Sequence, residues 1–162
     1  MKPEFDQALC EKYPLVFKDR RGDPSRTLMC FGFEVGDGWY SLLDALGSLL
    51  EADHRAAVRE YEHKRSIEGT VPYKGAERVS AVDVERARLA MSAAADRVPV
   101  AVQVKEKFGT LRFYVSGASD EQYAYIAFAE AMSARTCEVC GAPGELRNSG
   151  WIRTLCDVHD TE

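Results

Sequence analysis

No stretch of this sequence is apolar for long enough to cross a bilayer. The most apolar helical run, Leu42 to Leu50, is interrupted by Asp44 and falls far short of the roughly 20 residues a span requires. The first residues, MKPEFDQALCEKYP, carry acids and lack the apolar centre of a secretory leader, so a cytoplasmic protein is expected. Basic residues are in the minority, with 21 Lys and Arg against 26 Asp and Glu and a net charge of -5. That balance disfavours whole-surface attraction to nucleic acid or anionic lipid and leaves room only for a local basic patch. Histidine is scarce, with three in all, and no GxGxxG, Walker loop, HExxH or GxSxG occurs. Nucleophile-and-base chemistry therefore has little material, and the chain is read as non-enzymatic. Internal repeats, low-complexity tracts and a Ser/Gly-rich linker are also missing.

What is present is an ordinary globular composition. The 162 residues are 46% hydrophobic and 10% aromatic, enough for one compact domain with its own core and a small appendage. Residues 4 to 12 suit a short helix that Pro14 stops. In LMCFGFEV, Phe31, Phe33 and Val35 alternate at period two, the pattern of a half-buried strand. After Gly36, Asp37 and Gly38, with Asp37 as cap, apolar residues from Trp39 through Leu50 to Tyr61 predict one long amphipathic helix reaching Arg65. Ser66 to Arg78, with Gly69, Pro72 and Gly75, reads as a surface loop. A further helix is expected over 81–97, with Ser80 as cap, Asp83 three residues on, and Val84, Ala87, Met91 and Ala94 on one stripe.

The segment VAVQVKEKFGTLRFYVSG predicts a β-hairpin over about 100–115. Opposing the Val100, Val102, Val104 face to the Leu111, Phe113, Val115 face requires an even loop, pairing 104 with 113 and 102 with 115. Either Phe108 and Gly109 form a two-residue turn, or Lys107 to Thr110 form a four-residue one. The longer loop is favoured, because Phe tolerates positive φ poorly. Ser119 and Gln122 then make a capping box for a helix over 120–135. From Tyr123 to Ala134 only Glu130 and Ser133 are polar, so both sides of this helix are expected to meet protein, in the core or in a homodimer seam.

Of five cysteines, three fall in the last 26 residues, a distribution that suits thiolate ligation better than a disulfide framework. Cys10 and Cys30 stand apart and are read as small buried apolar side chains. Cys137 and Cys140 form CxxC followed by Gly141, and Cys156 and His159 form CxxH, with 15 residues between the pairs. Two residues between paired ligands let a tight turn aim both side chains at one ion, and four N and S donors satisfy zinc tetrahedrally. A thiol cluster without metal and a thioredoxin-like dithiol are the alternatives; the second lacks a βαβ frame. Glu145 to Arg147 and Trp151 to Leu155 predict a hairpin around Asn148, Ser149 and Gly150. This is a zinc ribbon's anatomy; a treble clef would set the second ligand pair on a helix, and only three residues follow His159. Four protein ligands leave no place for a catalytic water, so Zn2+ is expected to be structural. It should supply much of the folding free energy of a 24-residue piece too small to fold unaided.

The expected architecture is α+β, with helices packed on a small antiparallel sheet in residues 1–135 and a zinc-ribbon appendage in residues 136–162. Glu51 with His54 and Glu60 with His63 mimic ExxH pairs, but nine residues turn a helix through about 900°, setting the pairs on opposite faces. They read as solvated helix-face residues. Lys105, Lys107 and Arg112, with Phe108 and Tyr114, form the best candidate contact surface, able to meet an acidic protein or phosphates and bases. The ribbon is not basic, with three Arg and four acids between Arg135 and Asp160.

Three blocks, FGFEVGDGWYSLLDAL, VAVQVKEKFGTLRFYVSG and AEAMSARTCEVCGAPGELRNSGWIRTLCDVHD, resemble those of short uncharacterised proteins of bacteria, prophages and phages. All four ligand positions fit that pattern. The resemblance implies a mobile-element setting and no reaction type. The resulting expectation is a protein-binding module, in that setting an inhibitor of a host defence complex. The second reading is a nucleic-acid-binding or transcription-linked accessory protein using the hairpin cations and the ribbon.

Overall fold

A computed structural model describes residues 1–148 and 150–160. The chain forms two compact units, one made of Met1–Leu50 with Pro99 onward, the other of Glu51–Val98. The tail from residue 136 belongs to the first unit.

In the first unit, α1 (Pro3–Lys12) begins with Pro3 in the first turn, where its missing N–H costs nothing. Tyr13 caps it and is fully buried. Its hydroxyl donates to Asp44 O at 2.7 Å on α2 (Tyr40–Leu50). At Gly47 of α2 a Cβ would stand 2.6 Å from the Tyr13 ring, so that crossing requires glycine. Phe17 then meets Phe33 edge-on at 4.9 Å and Phe113 at 6.2 Å between centroids, a favoured aromatic geometry that ties the N-terminal segment to the sheet.

That sheet has three strands in the order β1 (Phe33–Glu34), β2 (Val100–Lys107), β3 (Thr110–Ser116). The expected hairpin forms β2 and β3, antiparallel, while β1 adds in parallel with Phe33 opposite Val104. The strand expected over 28–35 shrinks to two residues. Met29–Phe31 is a 3₁₀ turn, Gly32 follows at φ 87°, and Phe31 is exposed instead of sharing a face with Phe33. Val104 pairs with Phe113 as expected, but a bulge between Ala101 and Gln103 moves Val115 opposite Ala101. The bulge exchanges faces, so Ala101 is buried in place of Val102.

α5 (Asp120–Ser133) starts at the expected capping box of Ser119 and Gln122. It packs on β3 and α2 and buries Ile126, Ala129 and Ser133. Among the described residues nothing covers its other side, where Tyr123, Phe128 and Met132 are exposed. Two polar residues of its C-terminal half, Glu130 and Ser133, bind the free edge of β3, where Leu111 N donates to Ser133 Oγ at 2.8 Å and Phe113 N to Glu130 Oε1 at 2.9 Å. Those two amides are thereby withheld from pairing with another strand. β4 (Glu145–Arg147) and β5 (Arg153–Leu155) form the small antiparallel hairpin of the tail.

The second unit is α3 (Ala52–Ser66) packed on α4 (Ala81–Ala95). The single helix expected from Trp39 to Arg65 is broken at Glu51, whose ψ of 6° lies outside the helix. Apolar periodicity continues through the break because each half has its own partner, α5 for α2 and α4 for α3. Glu51, read as a solvated helix-face residue, is buried. Ser80 and Asp83 make the expected capping box, and Ala87 and Ala94 are buried on α4. The 67–79 loop is closed at its base by Gly69 N to Val79 O and Val79 N to Thr70 O.

Candidate metal centre

Two tight turns build the centre. In the first, Gly141 N donates to Cys137 O at 2.8 Å, and Gly141 adopts φ 78°, reversing the chain so that Cys137 and Cys140 point the same way. In the second, His159 N and Asp160 N both donate to Cys156 O at 3.0 Å, directly after β5. The four donor atoms lie within 4.8 Å of one another. Cys140 Sγ is 3.7 Å from Cys156 Sγ, and His159 Nδ1 is 3.6 Å from Cys137 Sγ and 3.2 Å from Cys156 Sγ. Tetrahedral donors at about 2.3 Å for sulfur and about 2.0 Å for nitrogen would stand roughly 3.8 Å apart for sulfur pairs and roughly 3.5 Å for mixed pairs. The observed separations fit one ion. No second cluster of three such side chains occurs among the described residues.

Cys137 is buried, and burial by itself raises a thiol pKa. The backbone amides of Cys156, Cys140 and Val139 outweigh that and hold it at about 6. Amides aimed at a sulfur stabilise the thiolate, the form that binds metal. Cys10 is the opposite case: burial, followed by the Asp6 carboxylate, pushes its thiol up to about 12. Cys10 and Cys30 are half-buried, not the fully buried side chains expected.

The tail is anchored by residues whose role the sequence reading did not find. Gly38 N donates to Glu138 O at 2.8 Å, Gly36 N to the Glu138 carboxylate at 3.0 Å, and the buried Trp39 ring to Thr136 O at 2.8 Å. A Cβ at Gly38 would stand 2.2 Å from Cys137 O, so the knuckle sits directly on that backbone. Asp37, expected to cap α2, instead accepts Lys2 N at 2.7 Å and Lys2 Nζ at 3.3 Å. The only sequence signal for this docking was the GDGW run, which reads equally well as a helix start.

Of the candidate contact residues, Lys105, Lys107, Arg112 and Tyr114 fall on the outer face of β2 and β3, because Lys105 opposes Arg112 and Lys107 opposes Thr110. Lys105 Nζ lies 5.7 Å from the Tyr114 ring centre and Lys107 Nζ 5.4 Å from that of Phe108. Among the described residues none of these three cations forms an ion pair, whereas Arg147 pairs with Asp157 and Asp160 and Arg153 with Glu138. The turn is the two-residue form, with Phe108 at φ 53° and Gly109 at φ 76°, not the four-residue loop favoured on local grounds. The reason is tertiary. Thr154, fully buried, donates to Gly109 O at 2.6 Å, and a Cβ at Gly109 would strike Leu146, so the tail clasps the turn shut. Of the expected Asn148, Ser149, Gly150 turn, Ser149 lies outside the described residues; β5 starts at Arg153 and not Trp151.

The site thus defines a protein whose CxxC and CxxH side chains cluster in a manner compatible with one metal ion, on an α+β fold. No family model, curated protein or solved structure matches the chain. No helix among the described residues is long and apolar enough to cross a membrane.

Proposed function

We propose that this chain is a non-enzymatic binding module, stapled by a structural zinc ion, that grips an acidic protein surface with the outer face of β2 and β3. Three thiolates and an imidazole are zinc's preferred donors, and four protein ligands leave no open corner for a reacting water. The observation that carries the binding reading is Phe108. It sits in the left-handed region, where a residue other than Gly, Asn or Asp costs about 1–2 kcal/mol, yet the residue is 65% exposed and is not part of the core. A strained, exposed aromatic on a hairpin whose outer face carries three cations without ion-pair partners among the described residues is the composition of a contact anchor. Resemblance to phage and prophage proteins supplies the setting, in which the partner is a host protein or complex, such as a defence assembly.

The nucleic-acid reading keeps one specific support: Trp151, 78% exposed, lies beside Phe108 and could extend a stacking platform. The net charge of -5 and the internally paired arginines of the tail weigh against it. Capture from lysate by wild type and by a Lys107→Glu, Arg112→Glu double variant separates the readings. Nuclease-resistant capture that falls at least about tenfold in the variant, with melting temperature unchanged, is expected. Capture that vanishes on nuclease digestion, or that ignores the double substitution, overturns the proposal.

A further inference from the structure

A different face carries a second inference. From Tyr123 to Met132 the outward side of α5 presents Tyr123, Ala124, Ala127, Phe128, Ala131 and Met132, with no charge among them. Glu130, the one acid in that span, is turned away onto Phe113 N. Beside this face runs an apolar groove of about 510 Å³, walled by α2 through Leu42, Ala45 and Leu49 and by α5 through Phe128 and Met132.

We infer that α5 packs against α5 of a second copy of this chain in an antiparallel, two-fold dimer, with each Phe128 entering the other copy's groove. Three observations select a second copy over another occupant. First, the patch contains both a knob and a hole: Phe128 projects, 67% exposed, at the rim of a groove of adequate size. A self-complementary patch is what an isologous contact requires, and an apolar cavity of about 150 Å³ already admits a benzene ring. Second, two copies each carrying -5 repel wherever like charges meet, and this face brings none together.

Third, the area suffices. Leu49, Tyr123, Phe128 and Met132 are 45, 50, 67 and 38% exposed. With aromatic side chains of about 150–250 Å² and the aliphatic ones slightly less, that leaves roughly 400 Å² per copy. The three alanines bring the two-copy total to roughly 1,000 Å², the lower bound for a specific interface. Their small size lets the helix axes approach to about 8–10 Å.

Sedimentation equilibrium of the metal-loaded full chain tests this. Wild type is expected to pass from 18.1 kDa towards twice that mass, with a dissociation constant on the order of micromolar. Phe128→Asp and, independently, Ala127→Glu should each weaken self-association at least about tenfold, with helix content and bound metal unchanged. Because both positions are solvent-exposed in one copy, either variant that folds suffices. Wild type that stays monomeric at about 100 µM, a hundred times that constant, overturns the inference. So does a dimer indifferent to both substitutions.

Discussion

Phe108 shows how a single residue can be disfavoured locally and still be the one present. A two-residue hairpin turn of this type prefers Asn-Gly or Gly-Gly because both positions need positive φ, and here the first is Phe at φ 53°. Phe108→Asn should therefore stabilise the protein by about 1 kcal/mol, measured by urea denaturation, while weakening capture of the binding partner. A variant that gains stability and binds as wild type would leave Phe108 with no function. Gly109 beside it is constrained doubly, by φ and by Leu146. The clustering of Cys137, Cys140, Cys156 and His159 was legible at this scale because the spacing within each pair is a local property. The turn length was not, because Thr154 and Leu146, some 40 residues distant, decide it.

At the scale of the element, caps and stripes carried over well. The box on α4 closes in both directions: Asp83 N donates to Ser80 Oγ at 3.3 Å, and Ser80 N donates to Asp83 Oδ2 at 2.9 Å. The Ser80 hydroxyl, then its amide, hold the Asp83 carboxyl below its usual 3.8. A carboxyl whose pKa is depressed on folding stabilises above its unfolded value, and that contribution disappears as pH falls through the folded value. Ser80→Ala should therefore cost about 1 kcal/mol near neutrality. The gap from wild type should narrow in thermal melts as pH falls below 3.8 and through the depressed Asp83 value; a gap that does not change with pH would dissociate Asp83 from the cap. α5 was legible as a helix but not as an edge cover, since nothing in Glu130 or Ser133 announces that a strand's amides lie opposite. Nor does periodicity reveal a break such as Glu51, where one stripe ends and another begins in phase.

At the scale of the molecule, the Cys137, Cys140, Cys156, His159 cluster is joined to the rest of the first unit through backbone hydrogen bonds. Trp39 is fully buried and donates to Thr136 O, one residue before Cys137, and Gly38 N donates to Glu138 O. Structural zinc sites carry apparent binding free energies of about 10–16 kcal/mol, comparable to a whole domain's stability. Chelation, or Cys156→Ser, should release the ion and open the 136–160 segment. The melting temperature should fall by on the order of 10 °C, and tryptophan emission should shift to the red as Trp39 meets water. Trp151, already exposed, would contribute little to that shift. Emission unchanged by metal removal would mean that Trp39 is held by the core alone and the tail is an independent appendage.

What the sequence determined unaided is everything set by near neighbours along the chain: the two capping boxes, the α1 stop at Pro14, the hairpin's pairing of Val104 with Phe113, and the two knuckle pairs, Cys137 with Cys140 and Cys156 with His159, whose donor atoms cluster. Tertiary structure alone decided the parallel addition of β1, the tight turn at Phe108, the seating of the knuckle on Gly38, and which side of α5 faces out. The division has a physical reason. Caps, strand alternation and metal-ligand turns act over a few residues, whereas those four outcomes depend on backbone groups brought together from dozens of residues apart, where sequence spacing carries no information.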